Sequence, residues 1–307
     1  MKTVAVLGAN GRLGQAAMHA FCQENYHVIA ITRTGQARHL PDGVEQRSAD
    51  ALNPQALQTA TTGADFIFNG LNPPYTEWQQ KALPMAQNVI EAARRHGAVH
   101  LFPGNVYNYG NDIPAVCTPQ TPFHANTRKG SIRITMEQLF ADAAQQHGVQ
   151  TLVLRAGDFY GGGSGTWFDM AITSKLSKGI LTYPGSLDVV HTWAYLPDLA
   201  RAFVVLAGQH EKLGRFENIL FPGHALTGTE WRGLLETALD KPLKTTGMPW
   251  WLIKTGGLVV PMWRELTEMA YLWFRPHRLE DVHRREIWGD TRFTPAAVAI
   301  GKALNQG

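Results

Sequence analysis

Cysteine is scarce: Cys22 and Cys117 are the only two in 307 residues. They supply neither a disulfide framework nor the paired spacing of a metal site. Cys22 falls on a helical pattern and reads as a small core residue. Long apolar runs are missing as well. A spanning helix needs roughly 18 consecutive apolar residues. The nearest candidate, Trp250 to Val260, is interrupted by Lys254 and stopped by Pro261. Met1-Lys2-Thr3 has the charge of a secretion signal, but the apolar stretch behind it is short and broken by Gly8, Asn10, Gly11 and Arg12. An excess of one charge is also lacking: 28 Lys and Arg oppose 25 Asp and Glu, for a net charge of +3. No block of like charges occurs, and the balance gives no electrostatic case for nucleic acid or an anionic membrane. The 12 histidines lack zinc-peptidase spacing, and no solenoid repeat is present. Together these absences predict a reducing, cytoplasmic setting and no metal, nucleic-acid or membrane partner.

What is present is apolar material for a real core, at 44% of the chain. In the first half it alternates between two rhythms. Strand patterns fall at 3–7, 28–32, 44–47, 65–69, 99–102 and 151–155, and helical patterns at 12–23, 54–61, 77–96 and 127–147. Such alternation predicts an α/β fold, a Rossmann-type doubly wound parallel sheet, with its ligand crevice at the carboxyl ends of the strands. Beyond Tyr160 the rhythm loosens. Gly161-Gly162-Gly163-Ser164-Gly165 reads as a flexible loop and not a phosphate loop, because no Lys-Ser/Thr follows it. A further helix at 197–207, a late strand at 216–220 and a helix capped by Thr227 or Thr229 and running to Leu239 are expected. The remainder is helical in pattern. The expected organisation is a dinucleotide-binding core over 1–160 and a smaller, mostly helical C-terminal substrate lobe over 161–307, interleaved with late core elements including 189–220.

The strongest local signal is Gly8-Ala9-Asn10-Gly11-Arg12-Leu13-Gly14, between the first strand and the first helix. Backbone N–H groups at a helix N-terminus favour an anion. Glycines there let the chain turn and approach a pyrophosphate without Cβ clashes. Gly8, Asn10, Gly11, Arg12, Leu13 and Gly14 are therefore candidate cofactor residues. The end of the second strand carries Arg33, flanked by Thr32 and Thr34, and no acid. An acid there usually binds the ribose hydroxyls of NAD, whereas a guanidinium holds a 2′-phosphate. Arg33, with Arg12 as a second cation, favours NADP and leaves NAD possible.

Several segments resemble the short-chain dehydrogenase/reductase superfamily in its extended or atypical branch, the NAD-dependent epimerase/dehydratase type. They are Gly8 to Gly14, Asp50-Ala51, Ala64 to Asn69, Asn105-Val106-Tyr107, Arg155 to Gly161 and Trp193 to Ala200. The resemblance implies that Asp50 and Ala51 contact the adenine. It puts Gly70 and Leu71 beside the ribose and phosphates, and Ala156, Gly157, Asp158 and Phe159 near the nicotinamide. From the residues alone, Asp50 also reads as a helix cap or turn residue ahead of Pro54, with the adenine role favoured.

The family uses a Tyr-x-x-x-Lys pair on its long helix and an upstream Ser or Thr. The matching helix here reads Lys129-Gly130-Ser131-Ile132-Arg133-Ile134-Thr135-Met136-Glu137. If Glu137 takes the acid position that follows the family Lys, Arg133 aligns with that Lys and Lys129 with the Tyr. The upstream region reads Pro103-Gly104-Asn105-Val106-Tyr107, without Ser or Thr. Three readings stay open. In the first, substitutes keep catalysis. An amine desolvated beside a second cation gives up its proton more readily, so Lys129 is the first-choice donor, with Arg133, Asn105 and Tyr107 beside it. Tyr109 and Tyr160 are further candidates. In the second, the protein is an NADP-sensing regulator without turnover. In the third, Lys129 and Arg133 form a solvated helix face, with Glu137 pairing Arg133 one turn away.

Tryptophans crowd the second half, at Trp167, Trp193, Trp231, Trp250, Trp251, Trp263, Trp273 and Trp288, with Phe274. Most are expected in the core, and one or two near Phe159, Tyr160, Trp167 or Trp193 in a substrate pocket. A nucleotide-sugar substrate needs cations for a second pyrophosphate. Arg201, Arg278, Arg284 and Arg285 are available but sit in no diagnostic motif. His124, His191 and His224 read as surface or core residues. The leading expectation is an oxidoreductase moving a hydride between NADP and a small carbonyl or alcohol, with a non-standard proton donor. A nucleotide-sugar epimerase or dehydratase is an alternative. The resemblance also implies a homodimer through the helices at 77–96, which Pro84 can kink, and 127–147.

Overall fold

Val4, Ala5, Val6 and Leu7 are all buried, as a strand covered on both faces of a parallel sheet must be. In the computed structural model, which describes residues 1–163 and 165–305, this run is β1 (Thr3–Leu7). The chain then alternates through α1 (Arg12–Gln23), β2 (His27–Thr32), β3 (Glu45–Ser48), α2 (Pro54–Ala60), β4 (Phe66–Asn69), α3 (Trp78–His96) and β5 (Val99–Gly104). The short β6 (Val116–Cys117) precedes α4 (Arg128–His147) and β7 (Thr151–Arg155). Next come β8 (Asp158–Tyr160), β9 (Ile180–Tyr183), β10 (His191–Tyr195), α5 (Leu196–Gln209) and β11 (Phe216–Leu220). The last stretch holds β12 (His224–Leu226), α6 (Gly228–Leu239), β13 (Lys244–Gly247), α7 (Trp250–Gly256), α8 (Pro261–Glu268), β14 (Arg278–Leu279) and α9 (Ala296–Leu304).

Seven strands form one parallel sheet, ordered β11-β7-β5-β4-β1-β2-β3. Strand order reverses between β4 and β1, which opens a crevice beyond their carboxyl ends. On one face α1 and α5 bring Ala17, Phe21, Leu199 and Phe203 against Val4, Val6 and Phe68. On the other, α2, α3 and α4 bring Leu57, Val89 and Phe140 against Ile29, Ile67 and Phe102. The helices start where local chemistry allows. Asn53 caps α2 ahead of Pro54, and Thr127 caps α4 by accepting from the Gly130 N–H. Thr227 and Glu230 form a reciprocal capping box on α6. Gly97 and Gly148, both at positive φ, end α3 and α4. Helix α3 runs unbroken past Pro84.

Beyond β7 the chain is less purely helical than its pattern suggests. Three small sheets thread it: β12-β10-β8, β13-β9 and β14-β6. Their strands span two to five residues, too few for an alternating pattern to stand out. Trp193, Trp231, Trp273, Tyr160 and Phe168 fill the core there, while Trp288 packs with Phe221 and Phe293 under the main sheet. Trp251 and Phe274 are exposed instead. Ser164 of the 161–165 loop lies outside the described residues, as do the side chains of Arg284 and Arg285. Among the described residues, no helix is long and apolar enough to cross a membrane, and no group of three or more His, Cys, Asp or Glu could hold a metal ion.

Candidate functional site

The crevice between β1 and β4 is lined by backbone at nearly zero clearance. Gly8 has φ +70°, and a Cβ there would stand 2.6 Å from the Gly70 carbonyl oxygen. A Cβ on Gly14 would stand 2.3 Å from the Gly8 oxygen. The Gly11 N–H donates to that same oxygen at 2.8 Å, closing the turn. Gly11 is the N-cap of α1 and brings no capping side chain. The first-turn N–H groups at Leu13 and Gly14 have no intrahelical acceptor by geometry, so this end suits an external anion. Such a cradle fits a dinucleotide pyrophosphate.

Residues around the cradle tie it to the loop after β2 and to the turn ahead of α2. The Asn10 side chain donates to the Gln36 carbonyl at 3.0 Å and accepts from the Arg38 N–H at 2.8 Å. It straps the glycine turn to the loop after β2. That loop exposes Arg33, whose carbonyl accepts from Ser48 Oγ at 2.8 Å. Thr32 is buried and its hydroxyl finds no partner, an orphan that a bound polar ligand would satisfy. The Thr34 hydroxyl accepts from the Gln36 N–H at 3.4 Å. Arg12 is half-buried with Asp169 at 3.9 Å. Burial lowers its pKa and Asp169 opposes the shift. Exposed Asp50 accepts from the Leu52 N–H at 2.9 Å, so its carboxylate also makes the turn ahead of α2. Ala51 is buried and its carbonyl is held by Asn88 at 2.9 Å. The Leu71 N–H donates to Asn69 Oδ1 at 3.4 Å beside Gly70.

The other end of the crevice contains buried charge. Lys129 is 1% exposed and Arg133 9%, so the expected solvated helix face is overturned. Lys129 does not act on Arg133. Its ammonium donates to the Glu265 carboxylate, to Glu268 Oε2 at 2.6 Å and to the Glu265 carbonyl at 3.2 Å, and its backbone N–H takes Glu268 Oε1 at 3.0 Å. All three ammonium protons are thus engaged by α8. Arg128 adds a bond to Glu265 at 3.0 Å from the rim. Burial alone would raise the Glu268 carboxyl, but hydrogen bonds and charge from Lys129 outweigh it and hold the group below its ordinary value. Arg133 lies between the Trp78 and Phe102 rings, 4.9 and 5.1 Å from their centroids. Its Nε has no partner, and it borders a cavity of about 20 Å³ with Asn69, Leu71 and Met136.

Glu137 does not pair with Arg133 either. It binds Arg155 of β7 through two hydrogen bonds, at 2.5 and 3.2 Å. Arg155 also donates to the Asn105 carbonyl, while Asn105 Oδ1 accepts from the Tyr107 N–H at 3.1 Å. Asn105 therefore braces the turn after β5. Tyr107 meets Tyr75 hydroxyl to hydroxyl at 2.9 Å. Burial pushes the Tyr107 phenol well above its ordinary pKa, helped by Tyr75 and Asp158. Burial raises Tyr75 as well. Asp158 of β8 bonds His191 of β10 at 2.8 Å, and His191 stacks flat on Trp273 at 4.4 Å. Ala156 is buried and Phe159 half-buried, and Gly157 packs so that a Cβ would stand 2.0 Å from the Thr192 oxygen. Tyr109 is buried with an unpartnered hydroxyl, and Tyr160 bonds His224 at 2.7 Å.

Glu265, Glu268, Tyr75 and His191 were not legible as site residues. Glu265 and Glu268 stand three apart, hence on one helix face, but their partner is 136 and 139 residues away. Two of the arginines considered for a second pyrophosphate are engaged nearby, Arg201 with Asp198 at 2.5 Å and Arg278 with Glu280 at 2.6 Å.

Comparison with known proteins agrees with this architecture. Residues 4–219 match the model of the NAD dependent epimerase/dehydratase family. A stretch of 103 residues is 32% identical to 2-alkyl-3-oxoalkanoate reductase from Stenotrophomonas maltophilia (strain K279a), covering 31% of this chain and 30% of that protein. UDP-glucose 4-epimerase from Brucella ovis in complex with NAD superposes with a TM-score of 0.76 at 13% identity, over 99% of this chain and 97% of that one. L-threonine dehydrogenase from Cupriavidus necator (holo form) gives 0.77 at 19% identity, over 99% of both. At such identities the structural likeness establishes the fold. The family match covers the whole glycine-turn half of the crevice and continues into β11, and the chain belongs to the NAD dependent epimerase/dehydratase family.

Proposed function

We propose that the protein is an NADP-dependent oxidoreductase that reduces a small carbonyl compound. The observation that supports this most is the zero-clearance turn: Gly8 and Gly14 leave no room for a Cβ while the first turn of α1 has no side-chain cap. Backbone N–H groups of Leu13 and Gly14 would hold the pyrophosphate. Arg33, with Thr32 and Thr34, would hold a 2′-phosphate, and no acid stands at that strand end to favour NAD. Asp50 and Ala51 would border the adenine, Gly70 and Leu71 the ribose and phosphates, and 156–159 the nicotinamide. A bound nicotinamide dinucleotide supplies a hydride.

The proton side falls to Tyr107. Lys129 spends its donors on Glu265 and Glu268, so in this reading it anchors α8 over the crevice. Tyr107, backed by Tyr75, carries its proton at neutral pH as any phenol does, and burial raises its pKa further. A hydroxyl that keeps its proton can donate to a substrate oxygen as charge develops there. In carbonyl reduction Tyr107 would serve as that donor. The reductase relative is named for a 3-oxoalkanoate, and a ketone of that kind is the substrate class to try first. A screen of 3-oxoalkanoates and simple ketones with NADPH, followed at the nicotinamide absorbance, should show turnover that Tyr107→Phe lowers by about a hundredfold. Cofactor binding without turnover on any carbonyl would favour a sensor instead. Interconversion of UDP-sugars would favour an epimerase.

A further inference from the structure

Helices α7 and α8 form a hairpin whose crossing is set by Trp263 over Gly256, where a Cβ would stand 2.3 Å from the indole ring. Its polarity is inverted. The carboxylates of α8, Glu265 and Glu268, point inward to Lys129. Trp250, Ile253, Trp263 and Leu266 are half-buried, but the hairpin's other apolar residues point outward. Leu258 and Val259, in the turn between the helices, are 88% and 85% exposed, and Trp251, Leu252, Val260 and Met262 are exposed beside them. A helix of a water-soluble surface shows the opposite arrangement. The outer face of this hairpin is therefore built for an apolar neighbour.

Charge narrows the choice of neighbour. From Trp250 to Arg264 there is no Asp or Glu, while Lys254 and Arg264 are both exposed. Among the described residues, Arg264 makes only a long ion-pair contact, to Glu265 at 3.9 Å. Apolar tip, tryptophan shoulder and flanking cations match the layers of a lipid interface from acyl chains to anionic headgroups. The two helices, of seven and eight residues, are too short to span a bilayer, which needs about 20. The most exposed residues also sit at the apex of a turn, a wedge shape that a fluid acyl layer accepts and a flat protein patch does not. The small net charge of the whole chain averages this local arrangement away.

We propose that the α7–α8 hairpin docks the protein on an anionic lipid surface, with Leu258 and Val259 entering the headgroup–acyl boundary and Lys254 and Arg264 facing the headgroups. The proposal is independent of the catalytic reading, because the test needs neither cofactor nor substrate. The full chain is mixed with vesicles of phosphatidylcholine alone or with added phosphatidylglycerol and separated by flotation. Binding to the anionic vesicles is expected, weakened by salt. Leu258→Asp with Val259→Asp should lower it by about tenfold or more, with thermal unfolding of the variant checked to match the parent. Lys254→Gln should lower it by about fivefold. Absence of binding to anionic vesicles would overturn the proposal, as would undiminished binding of the double aspartate variant. So would a concentration-dependent dimer, seen by light scattering, that the double variant abolishes while vesicles bind neither protein; the hairpin would then seat a second copy.

Discussion

The two ends of the crevice are built by opposite rules. At the proposed cofactor end the parts are backbone groups close in sequence, Gly8 to Gly14 against Gly70, and their fit depends on what is missing, a Cβ. At the reacting end the parts are buried charged side chains from distant segments: Lys129 with Glu265 and Glu268, and Arg155 with Glu137. The first kind of site constrains residue type at each position by sterics. The second constrains only the sum of charges, so partners can come from any element that packs there. Substitutions should therefore cost mainly affinity at one end and mainly stability at the other.

The largest effect is expected at the reacting end. Lys129→Met leaves buried Glu265 and half-buried Glu268 with only rim cations, chiefly Arg128, near them, and losing the buried partner of such a cluster costs up to about 3–5 kcal/mol. Urea unfolding should register that loss, while NADPH affinity of the folded fraction stays within about threefold of the parent. A variant as stable as the parent would show that α8 is not anchored by this lysine. Next comes Gly14→Ala, whose Cβ would meet the Gly8 oxygen. Overpacking of this sort costs about 1–3 kcal/mol, and calorimetry should find cofactor affinity reduced by up to about a hundredfold.

A third test uses pH and reaches beneath the crevice. His100 and His277 are fully buried, and burial pushes both pKa values down to about 3 from 6.5. His100 is held neutral between the Asn69 amide and Thr151 Oγ1, each at 3.2 Å. The unfolded chain takes up protons below about pH 6.5 that the fold refuses. Stability is thus fully present above that pH and falls as pH drops toward 3, by up to about 1.4 kcal/mol per pH unit for each histidine. Urea midpoints from about pH 7 to about pH 5 should fall accordingly, and His100→Asn should flatten the slope. A pH-independent midpoint would contradict the burial of both rings.

Legibility followed the same division. The strands at 3–7, 151–155 and 216–220 have the bounds the sequence predicts; the first two are largely continuous apolar runs, as a buried parallel strand is, whereas the third is a half-buried edge strand with Glu217 and Asn218 in it. Thr227 was readable as a cap because its partner Glu230 is three residues away. The small sheets beyond β7 were not readable, being pairs of short strands held by neighbours far along the chain. Glu137 shows why the reacting end was misread. Helical spacing offers Arg133 as its partner, but Arg155 arrives from β7 fully buried and with no water to turn to. A buried guanidinium without a carboxylate costs more than a missed pair on a helix surface. Sequence spacing records the local partner and is silent about the distant one.

The smallest of these effects bears most directly on the central claim, that the crevice is an NADP site. Purified protein should be titrated with NADPH and NADH by calorimetry, with Arg33→Ala in parallel. Tighter binding of NADPH is expected, and loss of about tenfold of that preference in the variant, the worth of one charge-assisted phosphate contact. Failure of either nucleotide to bind below about millimolar, or an NADPH preference that survives Arg33→Ala unchanged, would contradict it.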